Sequence, residues 1–214
     1  MFVNHIFAHS PLGGEQAGDL PPQGNSLYEY VVGANGVFVR ARRPGLEALI
    51  WVAATGQAIR GLKDVVPYVK LDPIVPVNRV AKMFEKAYRA QGKEILFYLT
   101  YFDQWLVNVP EQVQAGASVR PLDPFAGGVN TMIEVHSHHN MSAFFSATDN
   151  REEKTGFRIY AVLGGLASRP SILVRVGIYG HFMEIPASWV FQLPPEVSDA
   201  LFLEMEPEYV NDVD

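Results

Sequence analysis

The residues with the most chemical potential lie in one stretch, Glu134-Val-His136-Ser137-His138, with Ser146 and Asp149 following it. Thr131 to His136 reads as a strand. His136 and His138 are two positions apart at its end, so period-two geometry puts both imidazoles on one face. Two neutral imidazoles converging on a point make a good divalent-metal pair. Asp149 comes eleven residues after His138, in the first turn of a short helix expected over 147–154. A loop from the strand end back to that helix start can return the carboxylate to the rings. Two His, one Asp and an open fourth position is the layout of a catalytic rather than a structural zinc site. A plainer reading stands beside it: Ser146 as helix N-cap and Asp149 as a first-turn carboxylate are also what a helix start favours.

The rest of the composition narrows the chemistry. The chain has no cysteine, which removes thiolate nucleophiles, disulfides, Cys-ligated zinc and iron–sulfur clusters, so any metal must be held by His, Asp or Glu. Without a thiol, peptide-bond cleavage here would need an activated water. The net charge of −6 argues against a general nucleic-acid binder. Hydrophobic residues at 48% and aromatics at 12% exclude disorder. The apolar runs are too short to span a membrane. The N-terminus lacks the basic and apolar regions of a secretory signal, so a cytoplasmic protein is expected. There is no Gly-x-Ser-x-Gly elbow, phosphate loop or dinucleotide fingerprint.

Several elements must position the cluster. Residues 10–26 read as a Gly- and Pro-rich loop after a short N-terminal strand. A hairpin is expected from 28–32 and 37–40 around an Asn-Gly turn, and an apolar run covers 46–54. Residues 56–76, punctuated by Pro67, Pro73 and Pro76, read as irregular. Val77 to Gln91 is the clearest helix, with apolar residues at helical spacing, Pro76 before it and Gly92 as its stop. A second hairpin is expected from 95–102 and 105–109, then a long loop over 110–130. Strands are expected at 157–163, 172–179 and 181–185, with 189–191 extending the last segment. The pattern is α+β (mixed α/β), with no linker that splits it. The expected division is an N-terminal strand and loop over 1–27, one domain over 28–193 and an acidic tail over 194–214.

The string His-Ser-His, seven residues, Ser, two residues, Asp resembles the signature of the JAMM metalloprotease family, also called JAB/MPN domains. His136, Ser137, His138, Ser146 and Asp149 fill its positions, and His139 stands where the family usually has proline. Glu134 through Ser146, Phe157 through Gly164, and Arg175-Val-Gly-Ile-Tyr-Gly-His181 look like a narrower prokaryotic branch, the PRTRC system protein A group, loosely from Tyr28 to Phe191. The resemblance implies a curved mixed sheet flanked by helices in one domain. It implies Zn²⁺ held by His136, His138 and Asp149, with Ser146 donating to the developing oxyanion. It also implies a ubiquitin-like protein or conjugate as substrate, and partners from an activating and conjugating system.

The family's general base is a Glu near a Glu-x-x-Gly-x-Leu segment. Glu47-Ala-Leu-Ile-Trp-Val, after Pro44-Gly45, is taken as its counterpart, with Ile50 in place of the glycine. Glu47 is alternatively an exposed strand-edge residue. Glu134 is a rival, on the His136 face and able to orient a ligand from behind, as Ser137 is from beside it. Glu29 is a third candidate. Two other classes stay open: a non-catalytic MPN-type scaffold, and a cupin-like metal enzyme using His181. The cupin motif wants a Glu shortly after the second His, and none stands between His138 and Asp149. Arg40, Arg42 and Arg43 read as a solvated basic hairpin end. Phe144 and Phe145 read most simply as core, or alternatively as contacts for a substrate tail.

Overall fold

Glu29-Tyr-Val-Val-Gly33 alternates buried and half-buried side chains, and this period-two pattern is what a half-buried strand requires. The computed structural model describes residues 5–8 and 20–203. Residues 10–19 of the expected loop and 204–214 of the expected tail lie outside the described residues. The chain forms two compact units. One takes the chain up to Pro73 with 147–158 and 176–183; the other takes 74–146, 159–175 and the chain from Glu184. Among the described residues, no helix is long and apolar enough to cross a membrane.

The first unit contains a five-stranded sheet in sequence order. β1 (His5–Ala8) lies parallel to β2 (Glu29–Gly33), and β3 (Gly36–Arg43), β4 (Leu46–Ala54) and β5 (Tyr68–Leu71) continue it antiparallel. Its core is Val31, Phe38, Leu49 and Val65, with Leu20, Trp51 and Tyr68 packed against them. β5 forms inside the stretch expected to be irregular. The prolines that suggested irregularity flank it, and β5 is an edge strand, where they interrupt no ladder.

Arg40 is not part of a solvated hairpin end; it is buried. Its Nε and Nη2 donate to Glu29 Oε2 at 2.9 and 2.6 Å, and its Nη1 donates to the Pro21 carbonyl at 2.7 Å. The Gly24 amide and Ser26 hydroxyl donate to the other Glu29 oxygen at 2.9 and 3.2 Å. Glu29 therefore ties residues 21–26 to β2 and β3, a structural task rather than an acid–base one. Burial pushes its pKa up, but the Arg40 hydrogen bond, the Gly24 amide, the Arg40 charge and Ser26 together hold it below the ordinary 4.5. A carboxyl with a depressed folded pKa stabilises above its unfolded pKa and loses that contribution as pH falls through the folded value. Glu29→Gln should cost about 3–5 kcal/mol in urea unfolding at neutral pH, because it leaves a buried guanidinium without its counter-charge. The gap between parent and variant should close as the pH drops below 4.5.

The second sheet carries the candidate chemistry. α1 (Val77–Arg89) buries Val80, Met83 and Ala87 and ends at Ala90, after which Gln91 and Gly92 both have positive φ. Gly92 takes this conformation without strain, and the last helical residue is Arg89, two residues short of the expected Gln91. The strands are β6 (Leu96–Tyr101), β7 (Trp105–Asn108), β10 (Thr131–His138), β11 (Phe157–Gly164), β12 (Ser171–Ile178) and β13 (His181–Ile185). Their order is β13-β12-β11-β10-β6-β7. β10 is parallel to β11 and antiparallel to β6, so the sheet is mixed, as expected for an α+β chain of JAB/MPN type. Every residue of β12 is buried and all but one of β10 and β11. That is the mark of strands covered on both faces.

The expected loop over 110–130 contains a small hairpin, β8 (Gln112–Ala115) and β9 (Ser118–Pro121). The helix expected over 147–154 forms as α2 (Ala147–Glu152) with a 3-10 turn over Glu153–Thr155. Residues 189–191 do not extend a strand: Ala187–Trp189 is a 3-10 turn, and Phe191 bridges Val75. The first residues of the expected tail are structured, with β14 (Ser198–Asp199) parallel to β12 and α3 (Ala200–Leu203) after it.

Candidate metal centre

β10 has a register irregularity between Thr131 and Ile133. Beyond it the strand is regular, so Glu134, His136 and His138 share one face and Val135 and Ser137 the other. Both histidines are buried. Their Nε2 atoms are 3.2 Å apart, and the His138 Nδ1 lies 3.3 Å from the Ser142 carbonyl. A proton on Nδ1 donated to that carbonyl leaves Nε2 as a lone-pair donor. Zinc bound tetrahedrally at about 2.0–2.1 Å needs nitrogen ligands roughly 3.3 Å apart. The observed pair fits that spacing. The ligand atoms of His136, His138 and Asp149 all lie within 4.8 Å of one another, the one group of three such residues found among the described residues.

The loop after β10 is fixed by β11 and the turn following it. Gly165 N donates to the Met141 carbonyl at 2.7 Å and Leu166 N to the His139 carbonyl at 2.9 Å. Gly164, in register with His138, lies under this loop. A Cβ there would sit 2.2 Å from Ala143 N and 2.5 Å from the Ser142 carbonyl carbon. Backbone atoms cannot yield cheaply to that contact. Gly164→Ala should therefore lower stability by about 2–3 kcal/mol in urea. Because Ser142 carries the His138 partner, zinc affinity should fall in the same variant, measured by competition with a chelating dye.

The neighbouring strand brings in a carboxylate that the sequence reading does not single out. Leu96 of β6 lies opposite His136. The pairing continues past the strand end: Ser137 N donates to the Ile95 carbonyl and Ile95 N donates to the Ser137 Oγ, both at 3.1 Å. Antiparallel register then sets Glu94 opposite His138, on the same face. Glu94 is 4% exposed, and its Oε1 is 3.9 Å from the His138 Nε2. That is too long for a direct hydrogen bond and suits one intervening water. The signal was present in the sequence. Glu94-Ile-Leu-Phe97-Tyr-Leu99 follows the helix stop and keeps the final leucine of Glu-x-x-Gly-x-Leu, whereas Glu47 has Val52 there.

The other expected site residues are placed as follows. Glu47 does not join the histidine–aspartate group. Half-buried in β4, it accepts a hydrogen bond from the Tyr68 hydroxyl and lies in register between Arg42 and Lys70. Burial, then the Glu47 hydrogen bond and charge, push the Tyr68 pKa up. Ser146 immediately precedes α2, and Asp149 is in its first turn. Glu134 is half-buried on the histidine face, opposite Tyr98 and Tyr160. Ser137 is fully buried on the other face and acts on the backbone beside Glu94. His181 Nε2 pairs with the Tyr30 hydroxyl at 3.0 Å, and burial lowers its pKa. Phe145 packs under the buried Arg175 guanidinium at 3.9 Å. Phe144 departs from core packing: it is 42% exposed, with its ring 4.5 Å from that of His138.

Two strand-end histidines and a helix-start aspartate, with a buried glutamate beside one of the histidines, make up a candidate metal centre. Residues 76–176 match the family described as prokaryotic homologs of the JAB domain, and the similarity is to that family over this stretch. The match begins just before α1, so it contains Glu94, His136, His138, Ser146 and Asp149 and leaves out Glu47. No curated protein matches the chain.

Proposed function

We propose that the protein is a zinc-dependent JAMM-type peptidase or isopeptidase that cleaves the tail of a ubiquitin-like or related protein. The observation that supports this best is the pairing of the two histidine Nε2 atoms 3.2 Å apart with a buried glutamate 3.9 Å from one of them. In this reading His136, His138 and Asp149 hold the metal. Bound zinc supplies an acidified water and a polarised scissile carbonyl. Glu94 accepts the water proton and delivers it to the leaving amine. Ser146 donates a hydrogen bond to the developing oxyanion. The His138 ring is held in its ligating tautomer by Ser142, and exposed Phe144 offers apolar contact to the substrate beside it. Partners from an activating and conjugating system, and membership of the PRTRC branch, belong to the same proposal.

The test uses the purified full chain and a ubiquitin-like protein fused through its C-terminal tail to a reporter domain. One zinc per chain, cleavage at the junction, loss of cleavage with a chelator and its return with zinc are expected. A chain that binds zinc and cleaves no such fusion would be a scaffold or would act on another tail. A chain that binds no zinc would not be a metallopeptidase at all.

A further inference from the structure

We infer that the β8–β9 hairpin sets the position of Glu94, with Gln112 and Gln114 as positioning residues. This rests on the proposed role of Glu94 at the metal centre. Along β6 the backbone groups of alternate residues point to opposite edges. Those of Ile95 point to β10 and are taken by Ser137. Those of Glu94, Leu96 and Tyr98 point to the other edge. There β7 pairs with Tyr98 through Asn108 and goes no further. Pro110, which has no N–H, follows two residues later. The hairpin takes over at that point. The Glu94 amide donates to the Ala115 carbonyl and the Gln114 Nε2 donates to the Glu94 carbonyl, both at 2.8 Å. The Leu96 amide donates to the Gln112 Oε1 at 2.8 Å, and the Gln112 Nε2 donates to the Leu96 carbonyl at 3.4 Å.

Two side-chain amides thus imitate a missing strand over the residues that carry the carboxylate. None of the eight residues of β8 and β9 is buried, so hydrogen bonds rather than apolar burial attach the hairpin here. The even-numbered glutamines face Glu94 and Leu96, while Val113 between them is 46% exposed. Glu94 is consequently fixed from both edges, by Ser137 through Ile95 and by the hairpin directly. A shift of about 1 Å in a reacting group is enough to cost a large factor in rate, so this attachment bears on function as well as on folding.

The test loads the full chain with cobalt(II) alone and compares the parent with Glu94→Gln, Gln112→Ala/Gln114→Ala and a Val113→Ala control. Amide exchange at Glu94 and Leu96 should quicken about tenfold in the glutamine variant, as expected for losing hydrogen bonds of ordinary net strength. Cobalt should still bind one per chain. The visible spectrum should shift in the direction seen with Glu94→Gln and stay parental in Val113→Ala. Unchanged exchange, or faster exchange with a parental spectrum, would overturn the inference, the second by making the hairpin a structural ornament only. If the double variant does not fold, Gln114→Ala is read by the same criteria. A parent that takes up no cobalt would instead bring down the metal-centre reading and this inference with it, an outcome visible before any variant is made.

Discussion

Glu94→Gln should lower turnover of a ubiquitin-like fusion by about 10²–10⁴-fold, the usual contribution of a positioned acid–base group, while zinc content stays at one per chain. The amide keeps the shape and burial of the carboxylate but cannot take a proton from water. Glu94 stands opposite His138 in the extended β6–β10 register and 3.9 Å from its Nε2, so nothing else about the centre need change. Glu47→Gln is the matched control. Its side chain is engaged with Tyr68 and lies outside the segment matching the JAB family. Turnover should stay within about twofold of the parent, as for a substitution that removes no transition-state contact. Parental turnover in Glu94→Gln together with a large loss in Glu47→Gln would reverse the assignment.

Asp149→Ala should drop zinc from one per chain to a small fraction after dialysis against buffer without metal. Losing a direct ligand should exceed the roughly 10–100-fold penalty typical of an outer hydrogen-bond partner. The structural content of this prediction is the 4.8 Å grouping of its carboxylate with the two imidazoles. Were Asp149 only a favourable first-turn charge, its removal would cost about 0.3–1 kcal/mol of helix stability and leave zinc in place. Metal analysis by atomic absorption separates the two outcomes on purified protein without any substrate.

The candidate metal cluster was legible because each of its residues sits at a position that local rules govern. A period-two strand sets His136 and His138 on one face, and a Ser-x-x-Asp helix start sets Asp149 in the first turn. Glu94 was not singled out because its place depends on a pairing between strands about forty residues apart, and Phe97 fills the position where a glycine would have marked it. Glu47, after a Pro-Gly turn, had the stronger local cue. The bounds of β4 match the apolar run seen in the sequence, since every residue of Leu46–Ala54 except Glu47 is apolar. β8 and β9 lie in the stretch expected to be a loop for the opposite reason: four-residue strands, Gln-Val-Gln-Ala and Ser-Val-Arg-Pro, with no buried side chain carry no hydrophobic period. Arg40 looked like one of three surface arginines, and only the fold reveals that its cross-strand neighbour is Glu29.

α2 has six residues and buries none of them. A helix that short is marginal in isolation, and apolar packing does not make up the difference. Its order is therefore thermodynamically linked to whatever its first turn grips. A cation held by Asp149 would add to the free energy that keeps α2 wound, and its measured affinity would then include the cost of any winding that binding completes. Removal of the ion should let this segment open at a free energy well below that of global unfolding.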